Sequence, residues 1–374
     1  MVTAPAAEPA LEPARDQQTP IRVSLTRGPA ALELLDDRWD DLLRRQPIPN
    51  PLLSATWLRA VARWDVGVPL VLLGECDGRL VAGAAVGLRR RGRGLGPSLA
   101  TWLGPENLLS YLDILSDPQR PQAGEAVVAA LLDEVDALSV RSPASGAMTQ
   151  ALAALAPWRR ETAAFERWLL PCPPPRLEYV RRRVARDLRR ADRLGARIDV
   201  RVHRDPADVI PALARFFRLY RERWRDRPDE IARFASSHAL RRWNMETVSA
   251  LAADGHVVLV EVTEDGRTVA CQLTLVHGGG AIGRVTAVRP GGLLDGPGHL
   301  ALLAGVEHAV ATGTAVIDLG RGTDGPGGSK LRLGPYPDPL LDVFAASTPA
   351  LQRRYEVLRR IRRSALVKGA IDRR

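Results

Sequence analysis

Two of the chain's 53 basic residues are lysines, Lys330 and Lys368. Lys330 closes the most glycine-rich stretch of the sequence, Ile317-Asp-Leu-Gly-Arg-Gly-Thr-Asp-Gly-Pro-Gly-Gly-Ser-Lys330. An ammonium is a compact charge that can approach an oxyanion or a phosphate closely, or titrate when desolvated, in ways a planar guanidinium does not match. A lysine kept in a polar loop directly after an apolar strand is therefore a candidate for chemistry; the plain alternative is a solvated loop lysine. A second segment, Arg289-Pro-Gly-Gly-Leu-Leu-Asp-Gly-Pro-Gly298, joins a strand to a helix starting at His299. Helix N-termini expose unpaired N–H groups and positive partial charge, and so bind phosphate or pyrophosphate. Glycines let the backbone come close to such an anion. Ordinary capping is the competing explanation for Pro-Gly at a helix start.

Charge is concentrated in two places. The chain carries +10 overall. Arg176 to Arg204 holds eleven arginines against four acids, net +7, and Arg353 to Arg374 holds eight arginines and Lys368 against two acids, again net +7. The remainder is mildly acidic. A track such as Arg182, Arg183, Arg186, Arg189 and Arg190 can neutralise successive phosphates, giving salt-sensitive affinity without base specificity. Few aromatics are interleaved, so base stacking is not indicated. A solvated arginine face is the alternative.

The elements that must position these groups fall into two similar halves. Asp77-Gly78-Arg79 and Asp265-Gly266-Arg267 each sit between β-rich runs and are each followed, after one residue, by Val-Ala. Asp-Gly between strands is a strong hairpin signal, and two in matching places point to a duplicated domain. The spacing predicts helices over 177–194, 206–224, 238–252 and 299–312, the last stopped by Gly313. Strands are expected over 256–263, 268–277, 281–288 and 315–319. The first half offers a strand at 21–26, helices at about 29–45 and 54–64, the hairpin, a strand at Leu109–Leu115 and helices within 121–156. Pro171-Cys-Pro-Pro-Pro175 reads as a semi-rigid linker. The expected division is a disordered tail over 1–20, an acceptor-side domain over 21–170, a linker over 171–176, a donor-side domain over 177–346 and a basic C-terminal helix over 347–374. Cys76, Cys172 and Cys271 fit no metal spacing, and so sparse a set fits a reducing compartment. No run approaches a bilayer span. A soluble, cytoplasmic α/β protein of mixed type, without a metal, is the expectation.

In their order, several motifs resemble the GNAT acyltransferases. More closely they are similar to the double-GNAT, cellulose-biosynthesis-type acetyltransferases, a group related to the Fem-type transferases that use aminoacyl-tRNA. These motifs are Asn50-Pro-Leu-Leu-Ser-Ala-Thr-Trp-Leu58, Tyr111-Leu-Asp113, the basic run Arg182–Leu194, Phe216 to Trp224, Gly296-Pro-Gly298, and Ile317-Asp-Leu-Gly-Arg-Gly322 with Lys330. The resemblance implies tandem GNAT-like domains, each with a mixed, mostly antiparallel sheet flanked by helices. It implies acyl-CoA as co-substrate, held at Val288, Gly296, Pro297, Gly298 and His299, and an amine acceptor, a small metabolite or polymer precursor, at Tyr111 and Asp113. Arg289-Pro-Gly-Gly-Leu-Leu departs from the usual Arg/Gln-x-x-Gly-x-Gly/Ala loop, which keeps an aminoacyl-tRNA donor open, as well as a non-catalytic, RNA-gripping double-GNAT. Acyl transfer to an amine requires deprotonation, oxyanion stabilisation and alignment. Asp318 is the leading candidate base or orienting carboxylate, with Arg321 and Lys330 for phosphate or oxyanion. His277, His299, His308, Glu261 and Gln272 rank lower.

Overall fold

The computed structural model describes residues 20–65, 67–90, 96–104, 111–156, 158–224, 238–289, 291–294, 296–321, 329–354 and 357. The first half comprises β1 (Arg22–Arg27), α1 (Asp37–Arg44), α2 (Ala55–Ala62), β2 (Val68–Cys76), β3 (Arg79–Arg90), β4 (Ser98–Trp102), β5 (Leu115–Ser116), α3 (Gln122–Glu134), β6 (Ala137–Pro143), α4 (Ala147–Leu155) and β7 (Arg159–Pro171). The second comprises α5 (Leu177–Arg193), β8 (Ile198–His203), α6 (Pro206–Trp224), α7 (His238–Ala253), β9 (Val257–Glu264), β10 (Arg267–His277), β11 (Gly280–Val288), α8 (Pro297–Ala311), β12 (Val316–Arg321) and β13 (Tyr336–Ala346).

Local chemistry explains the boundaries. Asp36 caps α1 by accepting from the Arg38 and Trp39 amides, and the Ser54 hydroxyl caps α2 by accepting from Trp57 N–H. Both predicted hairpins form: Asp77 and Gly78, like Asp265 and Gly266, all have positive φ, as a two-residue hairpin turn demands. Helix α8 ends as expected at Gly313, φ 74°.

The strands build one continuous mixed sheet in the order β1-β2-β3-β4-β6-β13-β7-β12-β11-β10-β9-β8, with β5 paired to β3. Each half repeats one plan. Four antiparallel strands (β1–β4; β8–β11) are followed by a helix (α3; α8) and a strand parallel to the fourth (β6 on β4; β12 on β11). The two halves then exchange strands: β7 pairs with β12 of the second half, and β13 pairs with β6 of the first. Helices cover both faces. One core packs α1 to α4, α6 and α7 on the sheet across both halves, with Trp57 and Trp243 edge-to-face at 5.8 Å. A second core lies under α5 and α8.

Several details differ from the sequence expectation: strands β4, β6, β7 and β8 were not foreseen, and the helix expected over about 29–45 is a 3-10 turn, Pro29–Leu34, followed by α1. Residues 111–114 form no strand, and pairing resumes only at Leu115, because the chain there crosses the end of the sheet with Leu112 N–H donating to Arg141 O at 3.1 Å; residues 109 and 110 lie outside the described residues. Strand β13 was unforeseen because Pro337 and Pro339 argue against an interior strand. It tolerates them because pairing with β6 begins only at Leu340. Most of the C-terminal basic segment, 355–356 and 358–374, lies outside the described residues.

Candidate active site

Strands β11 and β12 pair at Gly280–Val316, Ala281–Ile317 and Ile282–Asp318, and then part. Just beyond, β11 slips register against β10, with Thr274 opposite Gly283 and Leu273 opposite Val285, leaving Arg284 as an extra residue. Such a bulge bends the strand and widens the gap. Helix α8 begins at the mouth of this gap. Its N-terminus follows Gly296 at φ 73° and has no side-chain cap. A Cβ on Gly298 would stand 2.8 Å from Val288 Cγ2, so the helix start fits against the strand end only because this residue is glycine. The loop before it is anchored by Glu264, whose carboxylate accepts from Leu293 N at 2.8 Å and Leu294 N at 3.1 Å.

From the other side, Gly320 at φ 71° turns the end of β12, its N–H donating to Asp318 Oδ1 at 2.7 Å. Lys330 lies on a short 3-10 turn, Ser329–Leu333, and Nζ donates to Leu319 O at 2.6 Å. On the same turn, Arg332 Nη1 is 3.5 Å from His299 Nε2 in the first turn of α8. The loop before α8, the end of β12 and the lysine turn therefore close on one another around a positively charged corner. Arg321 ends β12 opposite Arg167; its side chain and residues 322–328 lie outside the described residues.

Asp318 faces the opposite side of the sheet, toward the first half. The Tyr111 hydroxyl donates to Asp318 Oδ2, to which Arg167 Nη1 also donates at 3.2 Å. Arg167 comes from the exchanged strand β7 and also binds Asp338 of β13, through Nε at 2.6 Å and Nη2 at 2.5 Å. Its guanidinium lies 5.1 Å from the Tyr111 ring centroid. The cluster is deeply buried: Tyr111 is 2% exposed, Asp318 3% and Arg167 6%. Burial pushes the Asp318 carboxyl above the usual range, against the pull of Arg167 and the Tyr111 hydroxyl. Burial, then the Asp318 charge, pushes Tyr111 well up. Two carboxylates against one guanidinium leave the cluster one negative charge in excess. A cavity of about 310 Å³ in the first half reaches this cluster, with Tyr111, Asp113 and Arg167 among its walls.

Asp113 serves the backbone. Its carboxylate accepts from Ala147 N at 3.0 Å and Met148 N at 2.8 Å, capping α4 from a distance, and from Ile114 N at 2.9 Å. Burial nevertheless raises it to about 6. The lower-ranked residues sit elsewhere, except His299, beside Arg332, and Gln272, beside Gly283, which accepts from Thr286 Oγ1 at 3.0 Å. Glu261 is locked between Arg215, Thr268 and His203; these bonds outweigh burial and hold it at about 2. His277 lies between the halves, 3.3 Å from His256, and is lowered by burial. His308, near the far end of α8, is likewise lowered by burial and by Arg204. Arg182, Arg186, Arg189 and Arg190 are exposed on α5, and Arg183 is half-buried. Arg181 ties that helix to α8 through Glu307 at 2.7 Å.

Sequence reasoning missed Arg167, Asp338, Glu264 and Arg332. Arg167 had a signal: it stands in period-two phase with Phe165 and Leu169, a charge on an inward face. The first half has the equivalent parting of β4 from β6, but it is spanned. Trp102 Nε1 donates to Arg141 O at 2.8 Å, beside the Leu112 amide. Among the described residues, the open gap beside a glycine-led helix start lies in the second half.

Residues 179–326 match the family model described as an acetyltransferase (GNAT) domain, a stretch running from the first turn of α5 to beyond β12. No curated protein matches the chain. Among solved structures, FemX superposes with a TM-score of 0.58 at 12% identity, covering 82% of this chain and 94% of that one. The C-terminal domain of an Agrobacterium fabrum protein assigned as a lysylphosphatidylglycerol synthetase superposes with a TM-score of 0.53 at 13% identity, covering 87% and 94%. A tandem GNAT protein from the clavulanic acid biosynthesis pathway gives 0.46 at 14% identity, covering 88% and 99%. The fold is a mixed α/β fold of two GNAT-like halves, the second of which carries the matched acetyltransferase domain.

Proposed function

We propose that the chain is an N-acyltransferase whose second half holds the phosphorylated carrier of an activated acyl group and whose first half presents the amine. The observation that carries this reading is the contact between Tyr111 and Asp318. It joins the wall of the first-half cavity to the point where β11 and β12 part. In this reading the amine nitrogen attacks the acyl carbonyl and gives up a proton to the Tyr111 oxygen as the Tyr111 proton passes to Asp318. A carboxyl raised by burial is the better base for this step, and the added proton neutralises the cluster's excess charge. Lys330 and Arg332 face the carrier's phosphates and the developing oxyanion, with Arg321, at the end of β12, a further candidate for that role.

The residues present suit acyl-CoA. An uncapped helix start, a glycine where a side chain would clash, and a lysine and an arginine alongside are what a pyrophosphate needs. Acyl-CoA would supply the thioester carbonyl and a thiolate leaving group. An aminoacyl-tRNA donor is the second reading, favoured by the exposed arginines of α5, the helix tied to α8. On this proposal the chain is akin to the cellulose-biosynthesis-type double-GNAT group, which the order of its motifs resembles. Incubation with acetyl-CoA, and separately with charged tRNA, across a panel of amines tests both. Thiol release supports the first donor, and ribonuclease-sensitive transfer the second. If neither gives product, acyl transfer is wrong, and salt-sensitive RNA binding alone would leave a non-catalytic binding protein.

A further inference from the structure

The cavity beside Tyr111 has about 310 Å³ of space, within the range of small-ligand sites. Its apolar wall includes Pro47, Ile48 and Leu53. Its charged groups are of one dominant sign. Among the described lining residues Asp113 and Asp117 are acidic and Arg167 is the single base. Arg167 already faces Asp318 and Asp338, while Asp117 is paired with Arg45 at 2.5 Å. Cavity and backing thus hold four carboxylates against two close guanidiniums, with the exposed Arg79 a third at 4.0 Å from Asp117, and about half a positive charge from the α4 N-terminus that Asp113 caps. In a chain of net charge +10, this interior is anionic.

We infer that the cavity selects an alkylammonium whose carbon chain carries no carboxylate beside the nitrogen. The ammonium sits toward Asp113 and the Tyr111 end, and the chain lies on Pro47, Ile48 and Leu53. An α-amino acid would bring its carboxylate to a wall whose one guanidinium is already shared by two carboxylates, and like charges at close range are costly. The assignment rests on the reading of this cavity as the acceptor site, and it is tested without any donor.

Isothermal titration of the full chain with pentylamine, norleucine and hexanoate separates the possibilities, since norleucine is pentylamine with a carboxylate added. Pentylamine should bind at least tenfold more tightly than norleucine, and hexanoate should give no heat. Asp113→Asn should weaken pentylamine at least fivefold. Because that change also touches a helix cap, Ile48→Arg serves as a second variant. It adds a cation at a half-buried cavity position and should abolish pentylamine binding while the melting transition persists. Norleucine or hexanoate binding as tightly as pentylamine overturns the proposal, as does pentylamine binding unchanged in Ile48→Arg. Selective amine binding with no transfer from any donor keeps this inference and removes the transferase reading; acylation of amino acids without pentylamine binding does the reverse.

Discussion

Replacing Arg167 with methionine should cost a large share of the chain's stability, by an amount that depends on pH. The side chains of Arg167, Asp318 and Asp338 are 8%, 4% and 13% exposed. Removing the guanidinium strands two carboxylates on β12 and β13, the strands on either side of β7, with the Tyr111 hydroxyl on one of them. Breaking a buried pair by deleting one partner costs about 3–5 kcal/mol, out of a typical total of about 5–15 kcal/mol. The sign of the pH effect follows from burial. Burial already holds the Asp318 carboxyl above its usual range against the pull of Arg167; without Arg167 it rises further above its unfolded value of about 3.9, so the folded state binds more protons. Stability then falls as pH rises through that window and levels off above it. Urea unfolding at pH 8 should show the full loss, and at pH 5 part of it should be recovered. The triple variant Arg167→Met, Asp318→Asn, Asp338→Asn should return to within about 1–2 kcal/mol of wild type, because removing all the charges leaves none unpaired. A loss below about 1 kcal/mol at pH 8, or the same deficit at both pH values, would refute the reasoning from an unpaired buried charge.

Other substitutions probe the remaining contacts. Tyr111→Phe removes the hydroxyl that meets Asp318 and should lower kcat by about 10²-fold or more, the usual worth of a positioned proton acceptor, with substrate KM little changed in steady-state assays. Glu264→Ala frees the Leu293 and Leu294 amides and should raise donor KM about tenfold, or about 1.4 kcal/mol, while leaving kcat at saturation intact. Gly280→Ala would put a Cβ 1.9 Å from Pro49 O, forcing the two halves apart at that point; overpacking of this kind costs about 1–3 kcal/mol, visible as a lower Tm. The Asp113 carboxyl at about 6 binds its proton more tightly folded than unfolded. It should therefore make stability fall by about 2–3 kcal/mol between pH 4 and 6, a slope that Asp113→Asn removes in denaturant titrations compared across that range.

Much of the second half was legible because its signals are local. The Asp-Gly turns, the amphipathic period of α5 and the glycine stop at Gly313 each act over a few residues, and each is where the pattern put it. What escaped is set by long-range pairing. Strand β7 opens with Arg159-Arg160-Glu161, and β13 carries two prolines, so neither looks like the middle of a sheet; they become strands because each lies against the other and against a strand of the opposite half. The site divides in the same way. Lys330 and the loop before α8 stood out by composition, and the structure brings them to one corner; Asp318 stood out too, but its carboxylate faces the other side of the sheet, toward Tyr111 and Arg167. Arg167, Asp338 and Glu264 act through partners at least 29 residues away in sequence, a separation no short window can join. Asp113 was visible as a polar residue among apolar ones, but not as the cap of a helix that begins at Ala147.

The crossing of β7 and β13 also bears on how the polypeptide becomes a protein. Until the ribosome has made Leu340–Ala346, β6 is complete but its outer backbone edge has no neighbour, because that segment is the neighbour. An uncovered edge of this kind invites pairing with foreign strands. The early product must therefore wait, or be shielded, until that strand arrives. A cut between the halves would yield two fragments that each keep a strand belonging to the other, and they would recover their shape only together.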